Sequence, residues 1–95
     1  MEEMKSKSYM ILKRQLAIEH FESQKKLSQE EGNLIHDTYD MLNNYRENRK
    51  NASKEKLDVL ETETLDTINK TIDALGKQHF IFYDDGSIEY GWEEF

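Results

Sequence analysis

Apolar residues recur at helical spacing through most of the chain and then switch to alternation near its end. The pattern predicts helices followed by a β-hairpin. The first helix is expected over about 2–27. Projected at about 100° per residue, Met4, Met10, Ile11, Ala17, Ile18 and Phe21 form one broad apolar face. Tyr9, Leu12, Leu16 and Leu27 form a second. Polar strips separate the two, with Glu2, Ser6, Lys13, His20 and Gln24 on one side and Ser8, Gln15, Glu19 and Lys26 on the other. A helix with two apolar faces packs against two neighbours, within one chain or across a dimer. Tyr9, Leu12 and Leu16 are therefore the candidate self-association residues.

A corner follows near Ser28, and two readings of it are open. Ser28 and Glu31 match a capping box, which starts a new helix at about 29. Alternatively the first helix runs on to Glu31 and turns at Gly32 and Asn33. The second helix is expected over about 29–50, with Leu34, Ile35, Thr38, Met41, Leu42 and Tyr45 on one face and cationic residues at its C-terminus. Ser53 or Asn51 caps the third, over about 54–75. There Leu57, Leu60, Thr64, Leu65, Ile68, Ile72 and Leu75 make one stripe, ended by Gly76 as a C′ residue. Its outer face carries Glu55, Asp66 and Asp73 roughly in line.

The last element is a hairpin over about 79–93, and the stretch from 79 to 95 holds six of the ten aromatics. Phe80 and Phe82 share one side of the first strand, and His79, Ile81 and Tyr83 the other. Asp84, Asp85, Gly86 and Ser87 supply the turn, with Gly86 at positive φ. On the return strand Ile88, Tyr90 and Trp92 point one way and Glu89 and Glu93 the other. A two-stranded ribbon is marginal alone, so one side must dock on the helices.

Composition sharpens this into a mainly α, helix-dominated α+β fold in one domain, 1–95. Hydrophobic residues are 36% of the chain, against about 45–50% in ordinary domains, and 35% of residues are charged. Without proline or cysteine, the chain suits long, partly exposed helices and has no disulfide or thiolate chemistry. No run approaches the ~20 apolar residues of a membrane span, and the N-terminus lacks a secretory pattern. A cytoplasmic location is the expectation. The net charge of −7 is uneven: residues 1–50 hold nine Lys/Arg against nine Asp/Glu, whereas residues 51–95 hold four against eleven. Such a surface repels nucleic acid and anionic membrane and favours a basic partner.

Candidate chemistry is sparse. Asp85-Gly86-Ser87-Ile88 invites comparison with a calcium loop, but aligning Gly86 with the loop's glycine puts Ile81, Tyr83 and Trp92 at ligand positions. Calcium binding is rejected. His36 and Asp40 stand one helical turn apart, yet two ligands do not make a metal site, and a solvated helix face is the plainer reading. No serine has a nucleophile-elbow setting, and the glycines are too scattered to cradle phosphate. The expectation is a non-enzymatic protein with no cofactor and no metal.

What remains is an aromatic and acidic tail. Phe80, Phe82, Tyr90 and Trp92 are core residues on one reading. On the other, Tyr90, Trp92 and Phe95 are anchors ringed by Asp84, Asp85, Glu89, Glu93 and Glu94, with Glu55, Asp66 and Asp73 as a second acidic contact. The expected function is binding and modulating or inhibiting a basic protein, nuclease or nucleic-acid-binding factor, as small phage and mobile-element proteins do. The alternative is a self-associating structural protein.

Overall fold

The computed structural model describes residues 6–91. Helix α1 spans Lys7–Gln24, α2 Gln29–Arg49 and α3 Lys54–Leu75. A short 3-10 turn, Lys77–His79, leads into strands β1 (Phe80–Phe82) and β2 (Ile88–Tyr90), which pair antiparallel with Phe80 opposite Tyr90 and Phe82 opposite Ile88. The helix-dominated α+β architecture read from the periodicity is the one observed.

Local caps set the boundaries. Ser6 is extended and its Oγ accepts from the Tyr9 amide, so α1 starts later than the apolar pattern alone suggests. It also ends earlier, because Lys25 turns extended. Leu27 thus leaves the second apolar face and packs, partly buried, against the core. Glu2 and Met4 lie outside the described residues. At the first corner the capping box wins: Ser28 Oγ accepts from the Glu31 amide at 3.2 Å and Glu31 Oε1 from the Ser28 amide at 3.0 Å. Gly32 is helical, with open space where a Cβ would point. Ser53, not Asn51, caps α3. Gly76 ends it at a φ of 111°, where a side chain would be strained.

The Ser28 amide, joined by the Lys25 charge, holds the Glu31 carboxyl below its ordinary pKa. A carboxylate with a lowered folded pKa adds stability above its unfolded value of about 4.3, and that contribution fades as pH falls further. Glu31→Gln is therefore expected to lower the urea midpoint at pH 7 but to match the parent protein near pH 3. An equal deficit at both pH values would exclude the charged form as the cause.

Cross-helix contacts fix the directions. Lys7 reaches Asp58 and Thr62, and Arg14 reaches Asn69, so α1 and α3 run parallel. Tyr39 reaches Glu22 and Arg46 reaches Gln15, so α2 runs antiparallel to α1. Burial and the nearby Glu22 carboxylate push the Tyr39 hydroxyl well above its ordinary pKa. The core is formed by Ile11, Ala17, Ile18 and Phe21 of α1, Ile35, Leu42 and Tyr45 of α2, and Ile68, Ile72 and Leu75 of α3. These are the periodic positions of each helix, and the burial is what holds such polar segments together.

Between α2 and α3 the buried hydroxyls of Thr38 and Thr71 meet at 2.8 Å, one donating to the other, and the remaining hydroxyl proton goes to a carbonyl one turn back, Leu34 O or Thr67 O. Removing both hydroxyls in Thr38→Val/Thr71→Val is expected to change stability by less than about 1 kcal/mol, since the same carbonyls keep their helical partners. A loss above about 2 kcal/mol in chemical denaturation would mean that the pair fixes helix register.

The hairpin lies along α1. Its turn is closed by Gly86 N donating to Tyr83 O at 3.0 Å and Tyr83 N to Ser87 O at 2.9 Å. Gly86 has a φ of 89°, as a three-residue hairpin loop needs. Asp85 Oδ1 accepts from the Ser87 amide and hydroxyl, fixing the loop. Principal extents of 46 × 37 × 17 Å and a radius of gyration of 13.8 Å, against about 12 Å for a compact chain this long, describe a flattened molecule. No helix of the described residues is long and apolar enough to cross a membrane.

Candidate functional site

Two contacts pin the hairpin to α1. At the open end of the ribbon, Phe21 is fully buried against Phe80 (centroids 5.8 Å apart), His79 (5.4 Å) and Tyr90 (6.0 Å). Toward the turn, Arg14 donates from Nε to Asn69 Oδ1 at 2.8 Å and from a terminal nitrogen to the Gly86 carbonyl at 2.7 Å. Arg14 is buried, and no carboxylate among the described residues pairs with it. Desolvation lowers its pKa, and the neutral acceptors hold the guanidinium in place. One side chain thus ties α1, α3 and the hairpin turn together.

With the ribbon so held, Phe80 and Ile88 are buried and Tyr90 partly so. Phe82 shares their side of the strand but overhangs the core, at 50% exposure, while Ile81 and Tyr83 on the outer side are each 45% exposed. Three consecutive large apolar side chains therefore face solvent. Next to them stand Asp84 and Glu89, both exposed, and Asp85, half-buried. The Tyr83 hydroxyl donates to the Glu89 carboxylate, which raises the tyrosine's pKa. Together with Tyr9 and Lys13 of α1, these residues line an open groove in which, among the described residues, one cation stands with three carboxylates.

The proposed anchors fare differently. Tyr90 is turned toward Phe21 and Phe80, so the structure places it with the supporting residues. Trp92, Glu93, Glu94 and Phe95 lie outside the described residues. Glu55, Asp66 and Asp73 are exposed on α3, but Asp66 pairs with Lys70 at 3.2 Å and Asp73 with Lys77 at 3.4 Å. Those i,i+4 lysines offset the ridge's charge locally, and the acidic field is stronger at the hairpin. His36, Asp37 and Asp40 gather on the exposed face of α2, with His36 Nδ1 3.5 Å from Asp40 Oδ2. All three are wet, and nothing buried shapes the space between them.

On α1, Ile11, Ala17, Ile18 and Phe21 are the buried face, whereas Leu12 and Leu16 stand 51% and 40% exposed. Tyr9 is partly buried at the hairpin groove. Among the described residues, only one of the two apolar faces is thus fully covered.

Ile81, Tyr83 and Arg14 were not singled out by the sequence, and Phe82, read there as a core residue, is instead half exposed. Strand alternation does separate Ile81 and Tyr83 from buried Phe80, a signal that was available. Nothing in the alternation distinguishes Phe82 from Phe80. Comparison with protein families, with curated proteins and with solved structures finds no match to this chain.

Proposed function

We propose that the protein is a non-enzymatic, cytoplasmic binding module that captures and modulates, or inhibits, a partner protein with a basic surface, of the nuclease or nucleic-acid-binding kind. Small acidic proteins of phages and mobile elements supply the analogy, from size and charge alone. The observation that supports this reading is the hairpin edge, where Ile81, Phe82 and Tyr83 are exposed beside Asp84, Asp85 and Glu89. Exposed aromatics with a charged rim are the composition of a binding hot spot, and the carboxylates steer a cationic surface toward it. The ribbon is held from behind by Phe21 and Arg14, so little ordering cost attends binding.

Affinity capture from the source cells, run at low and high salt and read by mass spectrometry, tests the reading. A basic protein retained at low salt and released at high salt is the expected result. Capture that ignores salt, or that yields only neutral and acidic proteins, would overturn it.

A second reading, self-association through the outer face of α1, is favoured by the separate observation that Leu12 and Leu16 stand exposed on that helix.

A further inference from the structure

We infer that the outer face of α1 pairs with the same face of a second copy, the two α1 helices running parallel about a two-fold axis. The inference rests on the self-association reading and adds the orientation and the residues that set it.

Leu12 and Leu16 lie along the middle of this face. On one flank, Arg46 and Arg49 of α2 close a cleft against Leu12 and Gln15. On the other, Asp84, Asp85 and Glu89 close the groove against Tyr9 and Lys13. Both flanks sit at the same height, within the first turns of α1. Charge across the face therefore runs from positive, through apolar, to negative.

A two-fold interface brings each patch onto its symmetry mate. With the axis along α1, the α2 flank of one copy meets the hairpin flank of the other at the same height. Arg46 and Arg49 then face Asp84, Asp85 and Glu89, and the leucines meet at the centre. With the axis across α1, hairpin meets hairpin and carboxylates oppose carboxylates. That arrangement sets Arg46 and Arg49 against the α2 flank of the other copy and leaves the acidic cluster facing its own kind. Like charges set opposite each other are what fixes register at such an interface. An interface of standard size needs about 800 Å² from each partner, a modest share of the 6691 Å² surface. Since the same hairpin carboxylates serve the proposed basic partner, that partner and the second copy compete for them.

The chain has no cysteine, so one introduced thiol labels one site. Ser23 is exposed on α1, two turns beyond Leu16. A nitroxide on Ser23→Cys is expected to give an inter-copy distance of roughly 10–20 Å, from helix spacing plus the label arms. An antiparallel pair centred between Leu12 and Leu16 separates the two sites by roughly 27 Å or more. Sedimentation equilibrium supplies the second readout. Arg46→Glu/Arg49→Glu is expected to weaken the dimer at least about tenfold, and adding Asp84→Lys/Glu89→Lys to recover most of that loss. Leu12→Glu/Leu16→Glu should leave a helical monomer.

A protein that is monomeric at all concentrations would overturn both the self-association reading and this inference. A dimer with only the long distance, or one whose affinity ignores the arginine reversals, would keep the reading and overturn the inference.

Discussion

Phe21→Ala is expected to cost about 3–5 kcal/mol of stability, a large part of the roughly 5–15 kcal/mol that holds a small domain folded. Phe21 is fully buried and is the residue against which Phe80, Tyr90 and His79 all pack. Truncation leaves a cavity between α1 and the hairpin, and the flattened molecule has few other layers with which to close it. The hairpin loses its main apolar support, and a two-stranded ribbon is marginal without one. Urea denaturation should show the lower midpoint. Amide exchange should show β1 and β2 opening before the helices. A loss below about 1 kcal/mol, with hairpin amides still protected, would mean that Arg14 and Ile88 suffice to hold the ribbon.

The second large effect belongs to binding. Asp84→Asn/Asp85→Asn/Glu89→Gln removes three negative charges beside the exposed apolar residues and is expected to slow association with a basic partner by about 10- to 1000-fold at low salt. Dissociation should change less, since anchoring lies with Ile81, Phe82 and Tyr83. The fold should survive: an amide at position 85 still accepts from the Ser87 amide and hydroxyl, as Asp85 Oδ1 does, and the other two side chains are exposed. Phe82→Ser should show the reverse, faster dissociation with a near-normal association rate. Surface plasmon resonance against the captured partner over a salt series separates the two. Equal association rates for the triple variant and the parent would remove electrostatic steering from the proposal.

The ends of α2 and α3 were legible, down to one alternative at each start, because their determinants are local. Ser28 and Glu31 bond only across one turn, Ser53 caps its own helix, and Gly76 needs only its own backbone freedom. The end of α1 was less so: apolar spacing continues to Leu27, while Lys25 has already turned extended. The pairing of Asp66 with Lys70 and of Asp73 with Lys77 was also readable at i,i+4, and it weakens the α3 ridge as an acidic contact. The hairpin's two sides followed from alternation, yet their exposure did not. Phe80 and Phe82 share a side, and only the position of Phe21 beneath the ribbon's open end buries one and leaves the other overhanging.

By itself, then, the sequence determined the helix count, the candidate caps at the two corners, the turn at Gly86 and the acidity of the C-terminal half, all set by short-range sterics, hydrogen bonding and composition. Only the tertiary structure decided which apolar residues stay in water. That choice depends on where elements far apart in sequence meet. Arg14 joins Asn69 to Gly86, Phe21 gathers Phe80 and Tyr90, and α1 meets α3 on a single face. Burial is a property of such encounters rather than of any one segment. Among the described residues, Leu12, Leu16, Val59, Ile81, Phe82 and Tyr83 are the large apolar side chains that those encounters leave uncovered.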